Sequence, residues 1–333
     1  MIALSVLVPT HDRLPILQET LPRLLTSGSL GEDSEVIVVD DHCTDGTGGW
    51  LAGLAEQEPR LIVVTSDRGG RAAARNAGIA RARGELICCL DDDMWVRPGF
   101  LEAHWRAYQQ AAGETVVGVG KMTPHPANAP TAANLAFDRR LQHLDESLAE
   151  WGDDLPCRYL CTGNVSLPRR LFEDHQAFDE GFEGYSFEDT ELGYRLAARG
   201  VRFRYVPEAW AEHRTDTSLT VLLRRQTEAG RSAVRFVQQH PAAAPYLEVP
   251  FEVPGVESTR RRDGLPKRLA KRLLFSRLGS AGGEALLRAS AALGWREGAI
   301  RSLSWAGYAR YGRAYREAAG VVAATTSLTE ETR

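Results

Sequence analysis

Between Ala3 and Leu90, four short and almost unbroken apolar runs alternate with stretches of helical periodicity. The runs are Ala3–Val8, Glu35–Val39, Leu61–Val64 and Leu86–Leu90. The helical stretches between them are Leu14–Leu25, Thr47–Glu56 and Ala72–Arg83, the last stopped by Gly84. Strands this apolar are buried on both faces, and the helices between them supply both crossover and cover. The pattern therefore predicts an α/β fold of Rossmann type, a mainly parallel sheet with helices on both faces. In such a sheet the carboxyl ends of the strands share one rim, which is where ligands bind.

Four polar clusters reach that rim. They are Pro9-Thr10-His11-Asp12-Arg13, the stretch Asp40 to Thr47, Asp67 to Arg71 leading into Arg75-Asn76, and Asp91-Asp92-Asp93. Asp45-Gly46-Thr47 alone is a turn with a helix cap. Three ionised carboxylates in a row repel one another unless a cation or an array of donors lies among them. Hard oxygen ligands suit Mg²⁺ or Mn²⁺, ions that usually arrive with a diphosphate. A solvated acidic turn is the plainer reading, and the strand before it and the Pro98-Gly99 helix start behind it argue against that. Asp40 is suited to accept from a pyrimidine N3–H, and Arg68, Arg71 and Arg75 to offset phosphate charge.

After the triple acid the pattern loosens. Val116–Val119, Thr162–Leu167 and Val201–Val206 read as strands, and Thr131–Leu148 as a long helix. A helix over Asp189–Arg199 has Leu192 and Leu196 on one face and Gly200 as its C-terminal cap. Beyond His213 the strands stop. Leu219 to Val237 reads as one amphipathic helix, a Pro-containing segment spans Pro241–Pro254, and helical patterns continue to about Ala319. Residues 320–333 read as a frayed tail.

The net charge of −4 over 333 residues does not favour nucleic acid as a partner. Five cysteines with no C-x-x-C pair predict a reducing cytoplasm and no structural zinc. No signal peptide or membrane-spanning run is legible, so the expectation is a soluble chain, at most bound to a membrane surface. Arg260-Arg261-Arg262 and the stretch Lys267 to Phe275 form a basic, amphipathic block. It reads either as a solvated helix face or as a contact with an anionic membrane.

The segments SVLVPTHDR, VIVVDDHCTDGT, RGGRAAARNAGIARARGELICCLDDDM and CTGNVSLPRRLFEDHQAFDEGFEGYSFEDTELGYRLAARG, in this order, resemble the family 2 glycosyltransferases of GT-A fold. The likeness covers roughly residues 3 to 213. It implies inverting transfer of a sugar from a nucleoside-diphosphate sugar to an acceptor hydroxyl on a glycan or lipid-linked molecule, with Mn²⁺ or Mg²⁺ at a DXD motif. It also implies a domain over 1–213, with a nucleotide-binding half (1–112) and an acceptor half (113–213), then a helical extension over 214–319. Carried over position by position, Pro9, Thr10, Arg13 and Asp40 fall where the family contacts the nucleotide. Arg68, Gly70 and Arg75 lie in the matching glycine-containing segment. Asp91 and Asp92 fall at ribose and diphosphate, and Asp93 at the metal. Asp67 departs from the family pattern, which often has Asn there, so no base contact is carried over to that loop.

Asp189, in Phe187-Glu188-Asp189-Thr190-Glu191, reads from the residues alone as a helix N-cap. The resemblance implies instead a general base at Asp189, with Glu188 orienting a sugar or the loop. His213 is by itself an ordinary structural histidine, and the resemblance makes it a metal ligand. Trp95 and Trp151 read as core residues, with sugar stacking as the alternative. Two rival functions are a sugar nucleotidylyltransferase and a non-catalytic docking module of the same fold. The first wants a glycine-rich loop after the first strand, and there is no glycine from Met1 to Ser27. The second would be marked by loss of the metal acid or the base, and both are present.

Overall fold

The computed structural model describes residues 2–27, 33–111, 113–173, 177–246 and 273–331. Residues 260–272, most of the basic block, lie outside the described residues. The chain divides into two compact units. The first comprises Met1–Ala129, Phe137–Glu183 and Glu188–Thr215, and the second Pro130–Ala136, Gly184–Phe187 and Asp216–Arg333.

The first unit opens as the sequence predicts. Strands β1 (Leu4–Thr10), β2 (Ser34–Asp40), β3 (Leu61–Thr65) and β4 (Leu86–Leu90) alternate with helices α1 (Leu14–Ser27), α2 (Thr47–Ala55) and α3 (Arg71–Arg81). These strands pair in parallel in the order β3-β2-β1-β4. Leu7, Ile37, Ile87 and Cys89 point to one face and Val6, Val36, Val38 and Cys88 to the other, all essentially without solvent contact. Helix α3 lies so close to the sheet that a β-carbon at Gly78 would come within 1.8 Å of Leu7 Cδ1. Any larger residue there would have to displace the buried Leu7 side chain.

Among the described residues, the sheet as a whole joins four parallel pairings with three antiparallel ones. Beyond β4 come β5 (Met94–Val96), α4 (Phe100–Gln110), β6 (Val116–Pro124), α5 (Ala132–Trp151), β7 (Asn164–Pro168), α6 (Glu188–Ala197) and β8 (Arg202–His213). The full order is β3-β2-β1-β4-β7-β6-β8-β5. β7 runs antiparallel to both β4 and β6, and β5 antiparallel to β8. The helix start read at Pro98-Gly99 is that of α4, and the three-residue β5 lies between it and the triple acid. One sequence expectation is corrected here: the last strand does not end at Val206. A register shift between Gly120 and Lys121 lets β6 and β8 continue together to Pro124 and His213. Trp151 is exposed, which removes its core reading. Trp95 is partly buried, with the Arg23 guanidinium 4.9 Å from its ring centre.

A buried polar knot ties α4 to β6 and β7. His104 Nε2 donates to Asn164 Oδ1 at 2.8 Å, and His104 Nδ1 shares a hydrogen bond with Ser166 Oγ at 2.9 Å. Asn164 Nδ2 in turn reaches the Lys121 and Ala209 carbonyls. The pair is buried, and that burial lowers the His104 pKa to about 4, which keeps the imidazole neutral near pH 7.

In the second unit, α7 (Leu219–Gln239) is followed by α8 (Arg277–Ala292) and α9 (Arg296–Glu331). Ser218 caps α7 by accepting from Val221 N–H, and Ser276 caps α8 by accepting from Gly279 N–H. Leu223, Leu287, Ala299, Leu303 and Ala306 form its core. The α9 backbone is helical to Glu331, through most of the segment expected to fray. Among the described residues, no helix is long and apolar enough to cross a membrane.

The His104 knot gives a pH signature. Above the ordinary value of 6.5 the imidazole is neutral folded or unfolded, so it contributes no pH dependence there. Between 6.5 and about 4 the unfolded chain takes up a proton that the folded chain refuses, so stability falls as pH falls. From pH 7 to pH 5 the loss from this group is about 2 kcal/mol. Urea titrations should show the parent losing about that much more stability over this interval than His104→Gln. Equal losses in the two proteins would remove His104 from the account.

Candidate active site

Five carboxylates meet at the rim beyond β1 and β4, and each is held differently. Asp92 is turned inward. Its Oδ2 accepts from Thr10 Oγ1 at 2.8 Å, its Oδ1 lies 3.4 Å from Arg13 Nη1, and its backbone carbonyl accepts from Thr20 Oγ1 at 2.6 Å. Burial and the neighbouring acids push the Asp92 carboxyl above the usual range, while Arg13 pulls it down. The same guanidinium donates to Asp93 Oδ2 at 2.7 Å. The loop carrying Arg13 is clasped to the β2–α2 loop. Thr44 N–H donates to Asp12 Oδ1 at 2.6 Å, and Leu14 N–H to Asp45 Oδ2 at 2.9 Å.

Asp93 also faces His213. The β5–β8 register sets Met94 opposite His213, and Arg214 N–H donates to the Asp93 carbonyl at 2.8 Å. His213 Nε2 then lies 3.4 Å from Asp93 Oδ1. Thr215 Oγ1 donates to Asp138 Oδ1 at 3.0 Å, so it accepts from His213 Nδ1–H at 3.1 Å. In a neutral ring that bond leaves the lone pair on Nε2, on the side of the carboxylate oxygen. Two lone pairs facing each other are complemented by a cation between them. A carboxylate oxygen and an imidazole nitrogen leave most of a divalent ion's coordination open for a substrate diphosphate and water. The donor set fits the metal that the sequence resemblance implies.

Arg75 is the second organising cation, and its position corrects an expectation. It does not face an open phosphate site. Its residue is 3% exposed, with Nη1 3.2 Å from Glu188 Oε1 and Nη2 3.4 Å from Asp91 Oδ1. The Phe178 ring lies 5.6 Å from its guanidinium carbon. Glu188 is correspondingly buried and bound to Arg75, so it orients protein rather than sugar. Asp91 keeps a more open carboxylate at the rim.

Asp189 lies inside the first turn of α6, not at its N-cap. Its carboxylate accepts from Thr162 N–H at 3.1 Å and from Thr162 Oγ1 at 2.9 Å. Burial, and then the Glu188 charge, push the Asp189 carboxyl above the ordinary range, while Arg75 and Thr162 pull it back. Just ahead of α6, Ser186 and Phe187 hold φ values of 74° and 78°, a left-handed pair that non-glycine residues rarely adopt. Such local strain clusters at functional sites.

The remaining predicted residues are more peripheral. Asp40 Oδ1 accepts from Cys43 N–H at 2.7 Å, and Pro9 lies beside Val39 in the β1–β2 register. Gly70, at φ 116°, donates its N–H to the Asp41 carboxylate. Arg68 is 73% exposed at its side chain and pairs with Glu180 at 3.6 Å. Arg68, Gly70, Glu180 and Phe182 line an open cleft of about 200 Å³. Thr162 and Thr215, which orient the base candidate and the histidine, were missed from the sequence. Nothing in the spacing of a lone threonine distinguishes them.

Residues 5–155 match the profile of Glycosyl transferase family 2. The chain carries a family 2 glycosyltransferase domain. It is 30% identical over 272 residues to "Validoxylamine A glucosyltransferase" of Streptomyces hygroscopicus subsp. jinggangensis, a match covering 73% of this chain and 62% of that protein. The chain thus spans less than two-thirds of that relative's length. Among solved structures it is similar to the mannosyltransferase PcManGT of Pyrobaculum calidifontis in complex with GDP-Man and Mn²⁺. The TM-score is 0.54 at 21% identity, over 96% of this chain and 86% of that one. It is also similar to residues 1–349 of S. aureus TarS in complex with UDP-GlcNAc, with a TM-score of 0.52 at 16% identity, over 95% and 92% of the two chains. These likenesses establish the GT-A fold.

Arg75→Met should be strongly destabilising, because it leaves the buried Glu188 carboxylate without its cation. The expected cost is about 3 kcal/mol or more in a denaturant titration. The double variant Arg75→Met/Glu188→Gln should recover much of it. A single variant as stable as the parent would show that the ion pair does not hold this rim together.

Proposed function

We propose that this protein is an inverting glycosyltransferase that moves a sugar from a nucleoside-diphosphate donor, UDP-linked by preference, to an acceptor hydroxyl. The observation that carries the reading is the convergence of two groups at one rim: Asp93 with His213, and Asp189 held by Thr162 beside the Arg75–Glu188 pair. The relatives bearing glycosyltransferase names and the neighbours holding GDP-Man and UDP-GlcNAc support it. Asp40 accepts from the base, Pro9 and Thr10 border the nucleoside, and Asp91 meets the ribose or diphosphate. Asp92 acts through Arg13 and Thr10, since its own carboxylate is taken up by them. Mn²⁺ or Mg²⁺ at Asp93 and His213 supplies, when bound, a Lewis acid for the leaving diphosphate.

Asp189 takes the proton from the acceptor hydroxyl as that oxygen attacks the anomeric carbon on the face opposite the diphosphate. The configuration inverts, and no covalent sugar–enzyme bond forms. A carboxylate made more basic by burial, yet kept ionisable by Arg75, is suited to that task near neutral pH. The acceptor belongs to a glycan or a lipid-linked molecule, as in cell-surface polysaccharide or glycolipid synthesis. The compartment is the cytoplasm, in keeping with five free thiols, with peripheral contact to an anionic membrane.

A screen of nucleotide sugars for released nucleoside diphosphate tests the reading directly. Asp93→Ala should abolish transfer with the fold intact. EDTA should do the same to the parent, with recovery on adding Mn²⁺ or Mg²⁺. Undiminished turnover in chelator would sink the metal assignment. Asp189→Asn keeps the shape and loses the proton acceptor, so turnover should fall by about 10²–10⁴ while calorimetric donor affinity survives. Near-normal turnover would exclude Asp189 as the base.

A further inference from the structure

Helix α8 is apolar on both of its faces. The inner face, with Gly283 and Leu287, packs on α9 residues such as Leu303 and Ala306. The outer face, which a solvated helix would cover with charge, carries Leu278, Ala285, Leu286, Ala289 and Leu293. These fall on one side of the helix at spacings of three, four and seven residues. Leu278 and Leu293 are 78% and 81% exposed, and Trp295 in the turn to α9 is 58% exposed. Isolated exposed leucines are ordinary, but a helix-long uncharged face ending in an exposed Leu-Gly-Trp turn is not.

The charges lie around this face rather than on it. Arg277 and Arg288 flank it on α8, and Arg296 follows Trp295 in sequence, with one exposed acid, Glu297, beside it. On α9, exposed Arg301 precedes Trp305 and Tyr308 by four and seven residues. Glu284, the acid on α8, is bound to Arg310 at 2.7 Å. In sequence, the block from Arg260 to Arg272 ends just before Leu273, adding Arg and Lys against a single Asp.

We propose that the outer face of α8, with the Leu293–Trp295 turn, lies on an anionic lipid bilayer. This deepens the membrane reading above by naming the surface, and it is independent of the transfer chemistry. Leucines and tryptophan enter the boundary between headgroups and acyl chains, where tryptophan is enriched, and the flanking guanidinium groups meet lipid phosphates. The charge pattern decides against a second copy of the chain. A two-fold contact through this face would bring its arginine rim close to the same rim, like charge on like. An anionic surface complements that rim.

The test uses the whole chain and vesicles of phosphatidylcholine, with or without phosphatidylglycerol, in the absence of donor. The parent should co-sediment with the anionic vesicles and much less with the neutral ones, and its binding should weaken as salt rises. Leu278→Glu, Leu293→Glu and Trp295→Glu change exposed positions, so circular dichroism should be unchanged. Each should lower partitioning by about tenfold or more. Trp295 fluorescence, isolated by comparison with Trp295→Phe, should shift to the blue on binding. Failure of the parent to bind either vesicle would overturn the proposal. So would normal binding by all three glutamate variants alongside loss in a variant neutralised at the Arg and Lys residues of 260–272. A dimer dissociated by Leu293→Glu, without vesicle binding, would assign the face to a second copy. Donor turnover in solution, measured separately, reports on the transferase reading whatever the vesicles do.

Discussion

The first unit is governed by an excess of negative charge at one end of its sheet. Asp91, Asp92, Asp93, Glu188 and Asp189 converge where strands and loops meet, and their mutual repulsion has to be met within the protein. Two arginines do most of this from opposite sides. Arg13, on the loop after β1, spans Asp92 and Asp93, and Arg75, on α3, spans Asp91 and Glu188. The three consecutive acids thus diverge into separate environments: Asp91 at the rim toward Arg75, Asp92 inward beneath Thr10, and Asp93 between Arg13 and His213. Hydrogen-bonded ion pairs of this kind give modest net stability, because both partners lose water, but breaking one strands a buried charge. Their effect is to fix where each carboxylate points, which the candidate chemistry requires.

The first four strands and the helices between them were legible because their signals are local. Apolar strands of four to six residues, helical periodicity and a polar cluster after each strand depend on neighbours in sequence, and β4 has the bounds read from the chain. What was missed depends on partners far along the chain. β5 is three residues long and exists as an edge because β8 runs beside it, more than a hundred positions later. β8 continues past Val206 because β6 shifts register at Gly120 and supplies a second stretch of partners. The antiparallel β7 inserted between β4 and β6 has no signature that distinguishes it from a parallel strand. The periodicity of a strand reports burial, and its direction is set by the connection.

The site divides along the same line. The acids and His213 were legible because their chemistry is unusual for a strand end or because the family resemblance carried them. Their orienting groups were not. Arg75 was read, with Arg68 and Arg71, as offsetting phosphate charge at the strand ends. The anions it meets are the protein's own, delivered by β4 and α6. Thr215 lies two residues beyond His213, and it can accept from the histidine because its own hydroxyl donates to Asp138.

Glu188 and Asp189 are chemically alike and adjacent, yet the fold assigns them opposite roles. Successive residues on a helix point about 100° apart, so one can turn into the protein while the other stays at the rim. Glu188 turns inward to Arg75. Asp189 is met by Thr162, whose backbone N–H and hydroxyl both donate to it. Thr162 is in place because β7 pairs antiparallel with β4, Leu90 opposite Asn164, and because Asp91 N–H donates to the Gly163 carbonyl at 3.3 Å. Gly163 permits that approach: a β-carbon there would lie 3.2 Å from Asp91 Oδ2, from the Met94 methyl and from the Met122 sulfur. Asp91 and Thr162 are therefore held in register by one strand pairing and one backbone hydrogen bond. A bulky residue at 163 would press on Asp91 directly and on Asp189 through Thr162.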